Sequence, residues 1–90
     1  MTDAAVFKAL ADDLRLQIIG LLCNGEGMSG KEIWGRMSGR YSQSNISHDL
    51  RMLKSAGVVS CEHKGKFRIY RLNKDFMLSF LHKAIGQMKG

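Results

Sequence analysis

The sequence has few of the features on which several large classes of protein depend. It contains no proline and only two cysteines, which are too few for a dense disulfide framework. No apolar run approaches the roughly 20 residues needed to cross a bilayer, and we expect no signal peptide ahead of the first helix. Because 90 residues suffice for one small core, we expect residues 1–90 to be a single domain with a cytoplasmic, reducing location.

Sequence motifs typical of enzyme active sites are also missing. It has no glycine-rich phosphate loop, no H-E-x-x-H pair and no recognisable set of Ser, His and acid. His48 and Asp49 are adjacent, which on a helix predicts side chains about 100° apart and not a catalytic pair. We therefore expect that the protein is not an enzyme.

Positive charge is abundant, and it is concentrated in the middle of the chain. The formal net charge is +6. Residues 1–35 sum to −2, residues 36–74 to +7 and residues 75–90 to +1. A basic block of this kind favours a polyanionic partner, with nucleic acid ahead of an acidic membrane surface. The middle of the chain is therefore the predicted contact surface.

The spacing of apolar residues predicts a mostly α fold with a small β-hairpin. Helices are expected over about 3–11, 13–23, 29–37, 42–56 and 74–88. Two runs rich in β-branched and aromatic residues flank Lys64-Gly65-Lys66 and predict the hairpin. This is the element order of a winged helix-turn-helix, with a recognition helix at about 42–56 and a wing at about 58–72.

Short polar and basic side chains cover the exposed face of the predicted recognition helix. The major groove admits one α-helix, and amides such as those of Gln43 and Asn45 can pair with adenine. Basic side chains of the wing suit backbone phosphates. The predicted contacts with double-stranded DNA are Ser42, Gln43, Ser44, Asn45, Ser47, His48, Arg51, Lys54, Lys64, Lys66 and Arg68.

The last predicted helix is apolar around most of its circumference. So small a core cannot bury all sides of such a helix, so one side is expected to pack against another chain. A module that binds other proteins through this helix or the wing is an alternative to DNA binding. Strong salt dependence of binding would favour DNA, because phosphate contacts release counterions.

Three segments resemble the arsenic-repressor (ArsR/SmtB) family of prokaryotic winged-helix repressors: KALADDLRLQII at 8–19, SQSNISHDLRMLKSAGVV at 42–59 and HKGKFRIYRL at 63–72. The resemblance implies a homodimer built on the first and last helices that binds a palindromic operator. The implied dimer residues are Val6, Leu10, Met77, Phe80, Leu81, Ala84, Ile85 and Met88.

The sequence departs from the family pattern in two places. The turn before the recognition helix is about two residues over the family's usual length. Asp49 stands where the family commonly has His, and because a carboxylate repels phosphate we expect Asp49 to face the protein or to cap locally.

Many relatives release DNA on binding metal or on thiol oxidation, and this chain lacks the family's usual ligands. The third predicted helix has no Cys or His, and His82 near the C-terminus cannot supply a tetrahedral set alone. Cys61 and His63 point to one side of a strand, but packing residues are the simpler interpretation. We expect no cofactor and no metal; a redox or ligand response, through Cys23 or Cys61 in the redox case, stays open as an alternative.

Overall fold

The structure, a computed structural model, describes residues 3–89, with side chains described for residues 3–87. The described residues form five helices and three strands in the order of a winged helix-turn-helix, which confirms the predicted fold. The elements are α1 Asp3–Leu10, α2 Asp13–Leu22, β1 Met28–Ser29, α3 Gly30–Arg36, α4 Gln43–Ser55, β2 Val59–Lys64, β3 Phe67–Leu72 and α5 Lys74–Lys89. Within residues 3–89, no helix is both long and apolar enough to cross a membrane.

Polar side chains fix the start of α3. The Ser29 hydroxyl accepts a hydrogen bond from the Glu32 backbone N–H (3.1 Å), and the Glu32 carboxylate accepts one from the Ser29 backbone N–H (3.0 Å). The backbone and side-chain hydrogen bonds from Ser29 hold the pKa of Glu32 below its ordinary value, because they favour the charged carboxylate.

One hydrophobic core lies between the helices and the base of the wing. Apolar residues three and four positions apart supply it, since these lie on one face of a helix. On α4, the predicted inward stripe of Ile46, Leu50 and Leu53 is 2% exposed or less, as expected. The largest fully buried side chains are Val6, Ile18, Leu22, Ile33, Ile46, Leu50, Leu53 and Val58.

The sheet contains a strand that the sequence did not predict. The expected hairpin pairs β2 with β3 antiparallel, from Val59 opposite Leu72 to Lys64 opposite Phe67. On the other edge of β3, the two residues of β1 pair with Tyr70 and Ile69, giving the order β1-β3-β2. Two residues are too few to show the alternation that marks a strand, so this pairing has no sequence signal. It joins the base of the wing to the start of α3.

The turn between α3 and α4 occupies residues 37–42 and is held by specific contacts. Ser38 and Gly39 both adopt positive φ, at 52° and 74°. The indole N–H of Trp34 donates to the carbonyl oxygen of Tyr41 at 3.0 Å. The long turn predicted from the sequence is therefore an ordered connection that fixes where α4 begins.

Candidate nucleic-acid interface

The recognition helix α4 begins at a reciprocal cap between two of the predicted DNA contacts. The Ser42 hydroxyl accepts from the Asn45 backbone N–H (3.1 Å) and donates to the Asn45 side-chain oxygen (2.8 Å). The same oxygen accepts from the Ser42 backbone N–H at 3.3 Å. Ser42 and Asn45 are exposed, but these bonds commit the Asn45 oxygen to the cap. Bidentate pairing of Asn45 with adenine needs both the oxygen and the NH2 group of its amide, so it would require this cap to open.

The outer face of α4 carries the remaining predicted helix contacts. All of them are exposed, and they continue along the helix with helical spacing away from the buried stripe. The exposed side chains on this face are Gln43, Ser44, Ser47, His48, Arg51 and Lys54.

A cleft of about 390 Å³ separates α4 from the wing, and we call it the α4–wing cleft. It brings together four basic side chains from three elements: Lys31 of α3, Arg51 of α4, and Lys66 and Arg68 of the wing. Among the described residues that line it, none is acidic. The cleft therefore presents concentrated positive charge beside the exposed face of the recognition helix.

Lys31 is a member of this cleft that sequence reasoning missed. Its position in the first turn of α3 was visible, but its nearness to the wing depends on the pairing of β1 with β3. The Ser29–Glu32 cap indicates where α3 starts, but the pairing that brings its first turn to the wing has no sequence signal.

Tyr70 lines the α4–wing cleft, and the pKa of its hydroxyl is raised. Burial raises the pKa of Tyr70 and the neighbouring Cys61 raises it further, while Arg68 acts in the opposite direction. The phenol therefore stays protonated through the neutral range and can donate a hydrogen bond.

The other wing cations are partly engaged by one acid. The Glu62 carboxylate lies 3.2 Å from Arg71 Nε and 3.9 Å from Lys64 Nζ. Arg71 also donates to the carbonyl oxygen of Gly25 at 3.5 Å. These exposed pairs are weak, but they reduce the positive charge on this side of the wing.

Asp49 is buried beneath the exposed face of α4, as expected for a carboxylate kept away from phosphate. Its Oδ1 atom lies 3.2 Å from Arg15 Nη1. His48 Nδ1 lies at the same distance from that oxygen, a contact that the sequence did not predict, since adjacent helical positions point about 100° apart. The 100° between their Cβ directions is bridged because the side chains turn toward each other, with Asp49 held by Arg15.

The apolar surface of α1 and α5 differs in detail from the predicted dimer face. Val6, Phe80 and Ala84 are at most 9% exposed within a single chain, so they leave little surface for a partner, and their place in the interface stays a prediction. Phe80 packs edge-to-face on Phe7, with ring centroids 4.9 Å apart.

The predicted dimer residues that do reach the surface of these helices are Leu81 and Ile85, while Leu10 and Met77 are half-buried and Met88 lies outside the residues whose side chains are described. Phe7 and Leu78, which sequence reasoning missed, complete the exposed set. We call Phe7, Leu78, Leu81 and Ile85 the α1–α5 patch.

The cysteines are separate and free. Cys23 is exposed after the end of α2, and Cys61 is half-buried on β2 opposite Tyr70. Among residues 3–89, no three Cys, His, Asp or Glu side chains come together within one chain as a metal site.

The family model and the similar proteins indicate the same family. Residues 12–60 match the model of the bacterial regulatory protein, arsR family. The chain is 38% identical over 86 residues to the transcriptional repressor SdpR of Bacillus subtilis, covering 88% of this chain and 92% of that protein. It is 31% identical to a homolog of the cadmium resistance transcriptional regulatory protein CadC from Staphylococcus aureus, covering 93% and 68% of the two chains.

The fold has matching solved structures. The homodimeric winged helix-turn-helix DNA-binding domain of Mb0332 from Mycobacterium bovis superimposes with a TM-score of 0.74 at 31% identity, covering 93% of this chain and 77% of that one. Proteins of this family are transcriptional regulators and not enzymes. The chain, with its recognition helix, basic wing and matching family segment, belongs to the arsR family of regulatory proteins.

Proposed function

We propose that this regulator represses transcription as a homodimer bound to a palindromic operator. In each protomer, the exposed face of α4 enters the major groove and reads bases. The wing lies on the adjacent backbone, where Lys64, Lys66 and Arg68 neutralise phosphates. We further propose that it acts in the cytoplasm.

The α4–wing cleft is the observation that carries this proposal. Lys31, Arg51, Lys66 and Arg68 converge there from three elements, with Ser47 of the recognition helix beside them. A duplex seated on α4 would bring a phosphate backbone over this cleft. Four cations without a competing acid suit that polyanion better than a neutral or cationic partner.

Homodimer formation is supported by the α1–α5 patch. Its four side chains are 47–66% exposed in a single chain, and they lie on the two helices that a winged-helix dimer would join. The Mycobacterium bovis domain with the same fold is homodimeric. A two-fold dimer presents two equal recognition helices, so its preferred DNA site is an inverted repeat.

Repression and independence from metal are the finer parts of the proposal. The similar Bacillus subtilis protein is named a repressor, and an operator-bound dimer represses by blocking access to a promoter. Metal independence is supported by the lack of Cys and His in α3 and by the single His of α5.

Selection of bound duplexes from a random pool tests the proposal directly. We expect enrichment of an inverted repeat whose half-site centres are one helical turn, about 10 base pairs, or a multiple of it apart. Enrichment of a single non-symmetric site would exclude the dimeric geometry. No enrichment at low salt would exclude sequence-specific binding.

A further inference from the structure

A second pocket lies on the other side of Arg51, between α1 and α4. It has a volume of about 380 Å³, within the usual range of small-molecule sites. We propose that this α1–α4 pocket binds an amphipathic organic carboxylate, in which a compact anionic head is attached to a flexible apolar tail. The residues that carry the argument are Lys8, Ala9, His48, Arg51, Met52 and Ala56.

The apolar residues and the ionisable residues of the lining provide two different regions of the pocket, an apolar wall and a charged mouth. Ala9, Met52 and Ala56 provide an apolar wall, in which the Met52 sulfur accepts a hydrogen bond from Arg15 Nη1 at 3.4 Å. The ionisable groups of the lining are Lys8, His48 and Arg51, and none of the described lining residues is acidic. An apolar tail with one anionic head satisfies both regions at once.

This division argues for an amphipathic carboxylate over other anions. A bare phosphate has no apolar group to cover Met52 and Ala56, so it would use only the mouth of the pocket. A cation would be repelled by Lys8 and Arg51. A carboxylate can accept charge-assisted hydrogen bonds from both of these side chains.

The Arg15 side chain holds the two walls of the pocket at a fixed separation. Its Nε donates to the carbonyl oxygen of Ala9 (2.6 Å) and its Nη2 to that of Lys8 (3.3 Å), at the end of α1. Its Nη1 pairs with Asp49 of α4, which in turn contacts His48 Nδ1. The contact turns the His48 ring so that Nε2 is the nitrogen available to a ligand. A pocket framed in this way is formed before the ligand arrives, which lowers the cost of binding.

Occupancy of this pocket has a consequence that rests on the proposed DNA binding. His48 and Arg51 line the pocket and also belong to the predicted DNA contacts on α4. A bound carboxylate would occupy these side chains, so ligand and operator compete for them. The pocket would thereby make DNA release respond to a small organic acid.

Methyl NMR of the intact protein tests the ligand site without DNA. With methionine methyl groups labelled, decanoate is titrated below its micelle-forming concentration. We expect a saturable shift of the Met52 signal, while the core signals of Met28 and Met37 stay unchanged. Acetate and decanol, which supply the head and the tail separately, should each bind at least about tenfold more weakly.

Two NMR outcomes would overturn the proposal. If the Met77 signal shifts and the Met52 signal does not, decanoate is covering the apolar surface of α5, where Met77 lies beside Leu78 and Leu81. If decanol shifts Met52 at the same concentration as decanoate, the site does not select an anion.

The substitution Lys8→Gln tests the anion contact on an exposed residue that is not among the predicted DNA contacts. We expect the dissociation constant for decanoate to rise about tenfold. The matched change Lys64→Gln on the wing should leave decanoate binding unchanged. Equal binding by the wild type and Lys8→Gln would contradict the proposal.

Operator binding measured in the presence of decanoate distinguishes the ligand site from the proposed function. Decanoate should weaken operator binding severalfold in the wild type, and much less in Lys8→Gln. Unchanged operator affinity when the Met52 signal shows the pocket saturated would contradict the competition. A protein that binds decanoate at Met52 but selects no DNA would contradict the proposed function and leave the ligand site standing.

Discussion

Arg15 Nη1 lies 3.2 Å from Asp49 Oδ1, and this ion pair joins α2 to α4 across 34 positions of sequence. Both side chains are largely buried, with 12% and 10% of their surface exposed. The same guanidinium bonds two carbonyl oxygens at the end of α1. Arg15 therefore connects the end of α1 to α4, the predicted recognition helix.

Removal of the carboxylate should destabilise the fold strongly. In Asp49→Ala, the Arg15 charge stays buried without its partner, and we expect a loss of about 3 kcal/mol in the free energy of unfolding. Urea denaturation at one fixed protein concentration measures this, because the stability of the proposed dimer would depend on concentration.

Asp13→Ala is the matched control for that measurement. Asp13 is exposed in the first turn of α2, where its charge contributes about 1 kcal/mol or less through the helix dipole. An Asp49→Ala loss no larger than the Asp13→Ala loss would contradict the role assigned to the buried pair.

The cap of α3 should become less stable in acid. Because the folded pKa of Glu32 is lowered, its charged form adds stability above the ordinary pKa of 4.5. That contribution is lost as the pH falls through the folded value. Glu32→Gln keeps the capping geometry without the charge, so the difference in Tm between it and the wild type should be present at pH 7 and should shrink below about pH 4.5. A difference that is the same at pH 7 and pH 3 would contradict this.

The recognition helix and the wing should respond differently to substitution. Arg51→Ala is expected to weaken binding to the selected operator by about 1–3 kcal/mol if Arg51 reads a base, and Lys66→Ala to lower the slope of log affinity against log salt by about 1. Fluorescence anisotropy over a range of salt concentrations separates the two effects. Lys83→Ala on α5 removes the same charge away from the cleft and should change neither quantity. Wild-type behaviour in both test variants would show that the interface is misplaced.

A charge in the α1–α5 patch should break the dimer. Leu81→Glu places an unpaired carboxylate in an apolar contact, and we expect it to sediment as a monomer in analytical ultracentrifugation. Leu16→Glu is a close control, because Leu16 of α2 is 51% exposed against 47% for Leu81. A dimeric Leu81→Glu variant would place the interface elsewhere.

DNA affinity should be independent of divalent metal. We expect the same operator affinity in gel-shift titrations with added zinc, with a chelator and with neither. A zinc-dependent loss of affinity that disappears in Cys61→Ser or His63→Gln would show that the wing strand binds the metal.

The sequence predicted elements that depend on local pattern and missed contacts that depend on distant residues. The stripe of Ile46, Leu50 and Leu53 was readable because helical spacing places these side chains on one face. The ion pair of Arg15 with Asp49 was not, because the two residues are 34 positions apart.

The dimer face was only partly predictable for a related reason. Apolar spacing shows which side chains avoid water but not which chain covers them. Phe80 and Leu81 are adjacent and both apolar, yet Phe80 is 5% exposed and Leu81 is 47% exposed. Only the packing of α5 on its own protomer distinguishes them.

The short strand β1 has a mechanical consequence for the wing. β1 pairs with β3 at Ile69 and Tyr70, so backbone hydrogen bonds hold this edge of the hairpin at the middle of β3. Ser29 pairs with Ile69 and also caps α3, so it connects this part of the wing directly to the start of α3. We expect the tip beyond this point, with Lys64 and Lys66, to bend more easily than the paired strands and so to follow a groove whose width varies with DNA sequence.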